Sequence, residues 1–458
     1  MEGICTRQLP DAVVCLFFPN EQNLAGLRRV VADIRSEAAG PRHKKIQLHF
    51  VMSNVPDLDD EEQILNNRMD VFSEGLGYEE LTATIHRYES LALLNQVIFT
   101  QARPKSRLTR EYLVLKDAIV GENVEDREGA VRFLKESSRP GGFEFHLGKE
   151  EVESRLEKIL QLHPHDGEIL FLIAMVRKVE QRSDDALALL DQVIANGYGG
   201  GEPLLERAEI HQKSSASVAV ADISRALALP TLGVDNVEKA IRMLRKLAPA
   251  KIAEIPTSAA ANALNASDLI SVADSLQWSR EELAVAYTLV APLVENPRLD
   301  DAIRREAQGA LILSLVALAR FNEASESAES IHSSLDSMTL MWSFNYAMAQ
   351  WGLYRPDFRK SFARVIQKQQ EGEIRRGGAR TNYLQCLAVA FWAVGEATLA
   401  TDVLNIAEDM MQQYNRACFS CWRYSIAKPK EFLHDCQEIR RLIRGEDVRP
   451  SFFPLQAK

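Results

Sequence analysis

The chain has 458 residues, room for about three domains at roughly 150 residues each, and its 46% hydrophobic and 26% charged residues with only 23 Gly and 17 Pro exclude a disordered or fibrous protein. Lys plus Arg number 54 against 64 Asp plus Glu, and the net charge of −10 argues against wholesale binding to nucleic acid or anionic lipid. Six Cys are too sparse for a disulfide scaffold, no apolar run reaches the ~18 residues of a membrane span, and no basic-then-apolar leader opens the chain, so a cytoplasmic setting without a membrane partner is expected.

Strand-like and helix-like segments alternate up to about residue 140. Residues 12–18 (AVVCLFF) form a continuous apolar run closed by Pro19-Asn20, as expected of a strand buried on both faces. Leu24, Leu27, Val30, Val31 and Ile34 then recur at helical spacing. A second strand is expected over residues 46–52, stopped by Ser53-Asn54-Val55-Pro56-Asp57. An acidic helix from near Asp59, a short run over 83–88 and a helix from Ser90 toward Thr100 complete the rhythm, which predicts parallel crossover units.

Past Pro140-Gly141-Gly142 the pattern is of helices alone, and it repeats. A predicted helix pair over 168–181 and 184–196 carries Leu170, Ile173 and Ala174, then Ala186, Leu190 and Val193. A step of about 34 residues carries Ala186, Leu190 and Val193 back onto Val152, Leu156 and Ile159, and carries Ala174 forward onto Ala208. Ala186 maps onto Ala219 with one residue deleted. This spacing resembles the tetratricopeptide repeat. The fullest match is Leu384, Leu387, Ala388, Phe391, Gly395, Ala400, Leu404 and Ala407; a weaker one runs through Ile312, Leu315, Phe321, Ala324, Ala328 and Ile331. Between Thr231 and Asn296 the signature fades. The fold class implied is mostly α: a tetratricopeptide-like α-solenoid over 145–427, with a capping helix and tail over 428–458.

The first 140 residues carry a second resemblance. Gly3 to Asp11, the strand and helix from Val13 to Leu27, Ser53-Asn54-Val55-Pro56-Asp57 and Ile85-His86-Arg87-Tyr88-Glu89-Ser90-Leu91 look like the second half of a ParA/MinD-type ATPase, in particular bacterial members with a deviant KGGVGKT loop and a tetratricopeptide tail. The resemblance implies a partial α/β, P-loop ATPase-like domain belonging to a switch that dimerises around ATP. Asn54 and Pro56 fall where such ATPases hold the purine; an ordinary strand-ending turn is the alternative. A phosphate loop needs glycines followed by Lys and Ser/Thr after a strand. Gly148-Lys149 is followed by Glu150, and Gly197-Tyr198-Gly199-Gly200-Gly201 has no lysine. With the chain beginning at Met1, the phosphate-loop half is expected to be missing, so no cofactor is expected unless another chain supplies that half for ATP. The strand over 12–18 is then expected to be left as an exposed edge.

Five candidate sites stand out. Cys418, Cys421, His434 and Cys436 spell Cys-x2-Cys-x12-His-x-Cys, a donor set suited to tetrahedral zinc; packed thiols on a helical turn are the alternative. His163-Pro164-His165-Asp166 offers ligand atoms in a turn where a repeat places proline. Arg375, Arg376 and Arg380 make a basic loop fit for an acidic partner or a phosphate, or simply for solvent. Trp342 and Trp351, with Phe344 and Tyr346, either fill the core or anchor a peptide, and Phe452-Phe453-Pro454 hints at docking. The other histidines, His86 among them, show no carboxylate at telling spacing. The expected function is a protein-interaction scaffold that is not an enzyme, gripping a protein or peptide in the solenoid groove. The alternatives are the output half of a nucleotide switch and a zinc-stabilised nucleic-acid adaptor.

Overall fold

The computed structural model describes residues 12–38, 46–56, 61–88, 99–121, 123–139, 148–331, 339–369 and 381–454. The chain divides into two compact units, Met1–Gln192 and Val193–Lys458.

The first unit opens with strands β1 (Ala12–Phe17), β2 (Gln47–Val55) and β3 (Ala83–His86), separated by helices α1 (Glu21–Ala38) and α2 (Glu61–Leu76). The strands are parallel in the order β1-β2-β3, with Ala12 opposite Gln47 and Phe17 opposite Met52. Helices α3 (Phe99–Ala102), α4 (Arg107–Gly121), α5 (Arg127–Ser137), α6 (Lys149–Leu162), α7 (Gly167–Val179) and α8 (Ser183–Ala195) follow, the division between units lying inside α8. One sheet face packs Cys15, Phe17, Phe50 and Met52 against Leu24 and Val31 of α1 and Phe72 and Leu76 of α2. On the other, Val51, Ala83 and Ile85 meet Leu108 and Leu115 of α4. Two covered faces explain why these strands read as unbroken apolar runs. Among the described strands β1 is an edge, and its Leu16 is 56% exposed.

The second strand runs three residues past the expected stop at Met52, because Asn54 does not end it. The register slips between Ser53 and Val55, which pair with Ile85 and His86, and Asn54 adopts φ 57°. The extra residue is a β-bulge, and it shifts the alternation so that Val55 joins Phe50 and Met52 on the same face. The third run ends at His86, not Tyr88. Gly3 to Asp11, Asp57, Asp59, residues 89–98 of the expected fourth segment, and Pro140-Gly141-Gly142 lie outside the described residues.

The second unit consists of helix pairs. They are α9 (Glu202–His211) with α10 (Ala216–Leu227); α11 (Val234–Leu247) with a 3-10 stretch (Pro249–Thr257) and α12 (Ala259–Ala263); α13 (Ala266–Ser275) with α14 (Arg280–Val294); α15 (Asp301–Ala317) with α16 (Phe321–Ile331); α17 (Leu340–Gly352) with α18 (Phe358–Lys368); and α19 (Thr381–Val394) with α20 (Ala397–Tyr414). First helices pack on the next first helices from α9 to α17, and the second helices α10, α14, α16 and α18 pack on the pair that follows. Ala208, Ala324, Ala328, Ala388, Ala400 and Ala407 are fully buried, and small side chains let neighbouring helices approach to ~8–10 Å. In the second pair Pro249 and Pro256 each remove a backbone donor, replacing an α-helix by a 3-10 stretch. That is where the repeat fades in the sequence.

Four of the turns between consecutive helices close in one way although their side chains differ. After α7, α15, α17 and α19 the chain places Gln181, Ala319, Tyr354 and Gly395 in the left-handed region, at φ 62°, 60°, 56° and 92°. In each, the next residue's N–H returns to the carbonyl five positions back: Arg182 to Arg177, Arg320 to Leu315, Arg355 to Gln350 and Glu396 to Phe391. This is the Schellman closure of a helix C-terminus.

Helices do not continue unbroken to residue 427. After α20, β4 (Cys418–Ser420) and β5 (Ser425–Ala427) form an antiparallel hairpin before α21 (Pro429–Ile443). Residues 418–420 are therefore strand, not a helical turn. Asn415 at φ 46° ends α20, and the aromatic-rich sequence Cys418-Phe419-Ser420-Cys421-Trp422-Arg423-Tyr424 suits a strand and tight turn. The hairpin is held by buried polar bonds: Ser420 Oγ donates to Asp435 (2.6 Å), Arg423 pairs with the same carboxylate (2.6 and 2.8 Å), and the Cys421 N–H donates to Gln385 (2.9 Å). The tail returns so that Phe453 meets Phe321 (5.3 Å) and Trp351 (5.0 Å), and Phe452 meets Tyr424 (5.0 Å). Among the described residues no helix is long and apolar enough to cross a membrane.

Candidate functional site

Helix α17 lines two cavities of the second unit. Thr339 caps it by accepting the Trp342 N–H, and the aromatic-rich stretch LMWSFNYAMAQWG then turns Phe344 and Trp351 into the core. Trp351 is the hub of an aromatic cluster, with ring centroids 5.1 Å from Trp392, 6.0 Å from Phe358 and 6.4 Å from Trp422. Trp342 is half-buried, against Gly309, where a Cβ would lie 2.8 Å from its indole nitrogen.

Beside this cluster lies a cleft of about 480 Å³ between the end of α17, α18, α19 and the segment after α21. Trp351, Phe358, Trp392, Leu442 and Val448 contribute apolar surface. Arg359 lies over Phe358 (5.5 Å) and Trp392 (5.6 Å) and donates to the Ala393 carbonyl (2.8 Å). Arg449 lies over Tyr354 (5.1 Å) and donates to its hydroxyl (2.9 Å). Such cation–π contacts contribute about 0.5–1 kcal/mol each at exposed sites.

Across the α17–α18 turn opens a second cavity of about 540 Å³, and its walls differ in charge. Glu326 and Glu329 of α16 form one wall; Lys360 and Arg364 of α18 form the other. Tyr346 and Gln350 of α17 line the space between. A hydrogen-bond chain fixes this floor: Gln350 Nε2 donates to Ser325 Oγ (2.6 Å), Ser325 Oγ to Glu329 Oε1 (3.2 Å), and Tyr346 OH to the same oxygen (2.8 Å). Burial, then the Glu329 carboxylate, push the Tyr346 phenol up to about 12. Arg355 lines both cavities. The side chains of Glu326, Arg355 and Arg364 form no hydrogen bond or ion pair with any described residue, so three charges at this place stand ready for an outside group.

The other sequence candidates fall elsewhere. Asn54, exposed, is the β2 bulge, with Pro56 just beyond the strand. Near them at the carboxyl end of β3, His86 Nδ1 meets Glu111 (2.8 Å), and the His86 N–H donates to the same carboxylate (3.0 Å). Spacing in the sequence concealed this pair because β3 and α4 supply one residue each. In His163-Pro164-His165-Asp166, Asp166 caps α7 through the Glu168 and Ile169 N–H groups and receives Arg127 (2.6 Å). Arg375, Arg376 and Arg380, together with His43, His146 and His332, lie outside the described residues.

The zinc candidates are not gathered into one shell. Cys436 is fully buried on α21 while His434 is exposed on another face, as two-residue spacing on a helix dictates. Cys421 hydrogen-bonds Cys386 and also lies near Cys436, and burial pushes Cys418 and Cys436 each up to about 12. Among the described residues no group of three or more His, Cys, Asp or Glu is placed to hold a metal ion. Thiols with raised pKa hold their protons at neutral pH and are poor nucleophiles.

No protein-family model matches the chain, and no curated protein matches it.

Proposed function

We propose that the chain is a protein-interaction scaffold of the cytoplasm, built as a tetratricopeptide-like array of helix pairs and lacking ATPase activity of its own. The observation that carries this reading is the Schellman turn recurring after α7, α15, α17 and α19, together with first helices packed on first helices. Repeated units present side-by-side surfaces on which an extended or helical segment can lie. The charged cavity and the aromatic cleft around Arg355 supply both polar and apolar positions for it. The mass of the full chain purified natively from the cells that make it tests the reading: a complex with another protein is expected, and a lone chain at micromolar concentration opposes it.

A second reading is favoured by one observation, the all-parallel sheet with Asn54 and Pro56 at the carboxyl end of β2. Ligands of parallel sheets bind at that end. On this reading the first unit is the output half of a ParA/MinD-like switch and contributes to an ATP site whose phosphate loop another chain provides. Calorimetric titration of Mg·ATP into the full chain separates the two: the scaffold reading expects no heat of binding, and saturable binding contradicts it.

A further inference from the structure

We infer that the cavity between α16 and α18 is a docking site for a short protein segment of mixed charge, a basic residue facing Glu326 and Glu329 and an acidic residue facing Arg364 and Lys360. The inference rests on the scaffold reading and deepens it by assigning the partner's chemistry.

Three features select this occupant. The first is the separation of charge: Glu326 and Glu329 stand on α16 and Lys360 and Arg364 on α18, where Asp357 at the start of α18 is paired with Lys360, while the α17 groups between them are neutral. A ligand of one sign would meet repulsion from one wall. A segment carrying both signs satisfies both, and wrong orientations are penalised by like charges. The second is availability. Glu329 Oε1 is engaged by Tyr346 and Ser325, whereas Oε2 receives no bond from a described residue, and the Glu326, Arg355 and Arg364 side chains are likewise unpaired. Lys360 has a local partner in Asp357, at 3.6 Å. The third is the fixed floor. Tyr346 and Ser325 are buried and both donate to Glu329 Oε1, and Gln350 donates to Ser325, so the Glu329 carboxylate is held in place before a ligand arrives. Preorganisation of this kind reduces the ordering cost of binding.

The volume suits a few side chains, not a folded domain, since ligand cavities span about 300–1,000 Å³. Arg355 borders the aromatic cleft as well, so a segment crossing the α17–α18 turn passes from the charged cavity to Trp351, Phe358 and Trp392. A large apolar residue is therefore expected next to the charged pair.

The test is selection from a random peptide display library on the immobilised full chain, run in parallel with R364E and with E326K/E329K. Glu326 and Glu329 are exposed and Arg364 is half-buried, so the folded state is expected to survive, and circular dichroism checks that it does. Wild-type selections are expected to pair Lys or Arg with Asp or Glu beside an aromatic or aliphatic residue. The affinity of a selected peptide should fall at least tenfold in either variant. R364E should lose the preference for the acidic residue and E326K/E329K the preference for the basic one. Selections without paired charges, selections unaltered by the variants, or no enrichment above background each overturn the inference. A native complex that persists undiminished in R364E would leave the scaffold reading standing while removing this cavity as its site.

Discussion

Replacing Ala319 by glycine should stabilise the second unit, although an Ala-to-Gly change usually does the opposite. Ala319 sits at φ 60° in the α15–α16 turn, where the Arg320 N–H closes on the Leu315 carbonyl. The left-handed conformation costs an L-residue about 1–2 kcal/mol. Glycine escapes that cost but loses about 0.5–1 kcal/mol more chain entropy on folding. The net expectation for Ala319→Gly is a gain of about 0.5–1 kcal/mol. Gly395 provides the reciprocal case: it occupies the equivalent turn at φ 92°, and a Cβ added there meets nothing within 4 Å. Gly395→Ala should therefore destabilise by about 0.5–1 kcal/mol through backbone strain alone. Urea unfolding followed by tryptophan fluorescence reads the right unit, because Trp278, Trp342, Trp351, Trp392 and Trp422 are all 5 of the tryptophans and all lie in Val193–Lys458. A lower midpoint for Ala319→Gly, or a higher one for Gly395→Ala, at unchanged slope would refute the shared turn.

Asp435→Leu should cost about 3–5 kcal/mol, since it strands Arg423 and Ser420, while the pair Asp435→Leu with Arg423→Met should cost much less; equal losses in a denaturation cycle would count against the buried clamp. Burial, then Glu306 and Glu238, raise the Asp274 carboxyl to about 6. Because the folded state holds this proton more tightly than the unfolded one, ionisation erodes stability as pH rises from about 4 to 6, and Asp274→Asn should stabilise above that window and be neutral below it. Asp274 is closely surrounded by protein yet still reaches water at the surface, which screens its charge, so a gain of about 1 kcal/mol is expected at pH 7.5, and a pH-independent effect in thermal melts would argue otherwise. Gly352→Ala should cost about 1–2 kcal/mol, because the new methyl collides with the Phe321 ring held by Phe452 and Phe453; an unchanged midpoint would contradict that packing. The buried Cys386, Cys421 and Cys436 should resist a thiol reagent at pH 8 until the protein unfolds, as peptide mapping would reveal; rapid native labelling would contradict their burial.

Much of the helix pairing is legible from small and large apolar residues. Ala174, Leu190, Ala388 and Leu404 sit where two helices must approach, and each is fully buried. The turns were hidden for a specific reason: three of the four left-handed positions hold Gln181, Ala319 and Tyr354 instead of glycine, so backbone hydrogen bonds preserve a motif that residue identity does not. The β4–β5 hairpin was equally obscure, because Cys418 and Cys421 at a short spacing suit a helical turn as well as a strand end. Trp351 was visible as an aromatic, but the charged cavity was not. Glu326 and Glu329 share one face of α16 and Lys360 and Arg364 one face of α18, as their three- and four-residue spacings require. Only the placement of α16 and α18 on either side of α17 brings the opposite signs together.

The most direct measurement is photo-crosslinking in living cells from an unnatural amino acid at position 350, on the cavity floor, compared with one at Arg298 in the turn between α14 and α15. Adducts heavier than the chain, formed at position 350 and suppressed by R364E, are the predicted result. Equal adducts from both positions, or none from position 350, would contradict the proposal that this protein works by holding another at the α16–α18 cavity.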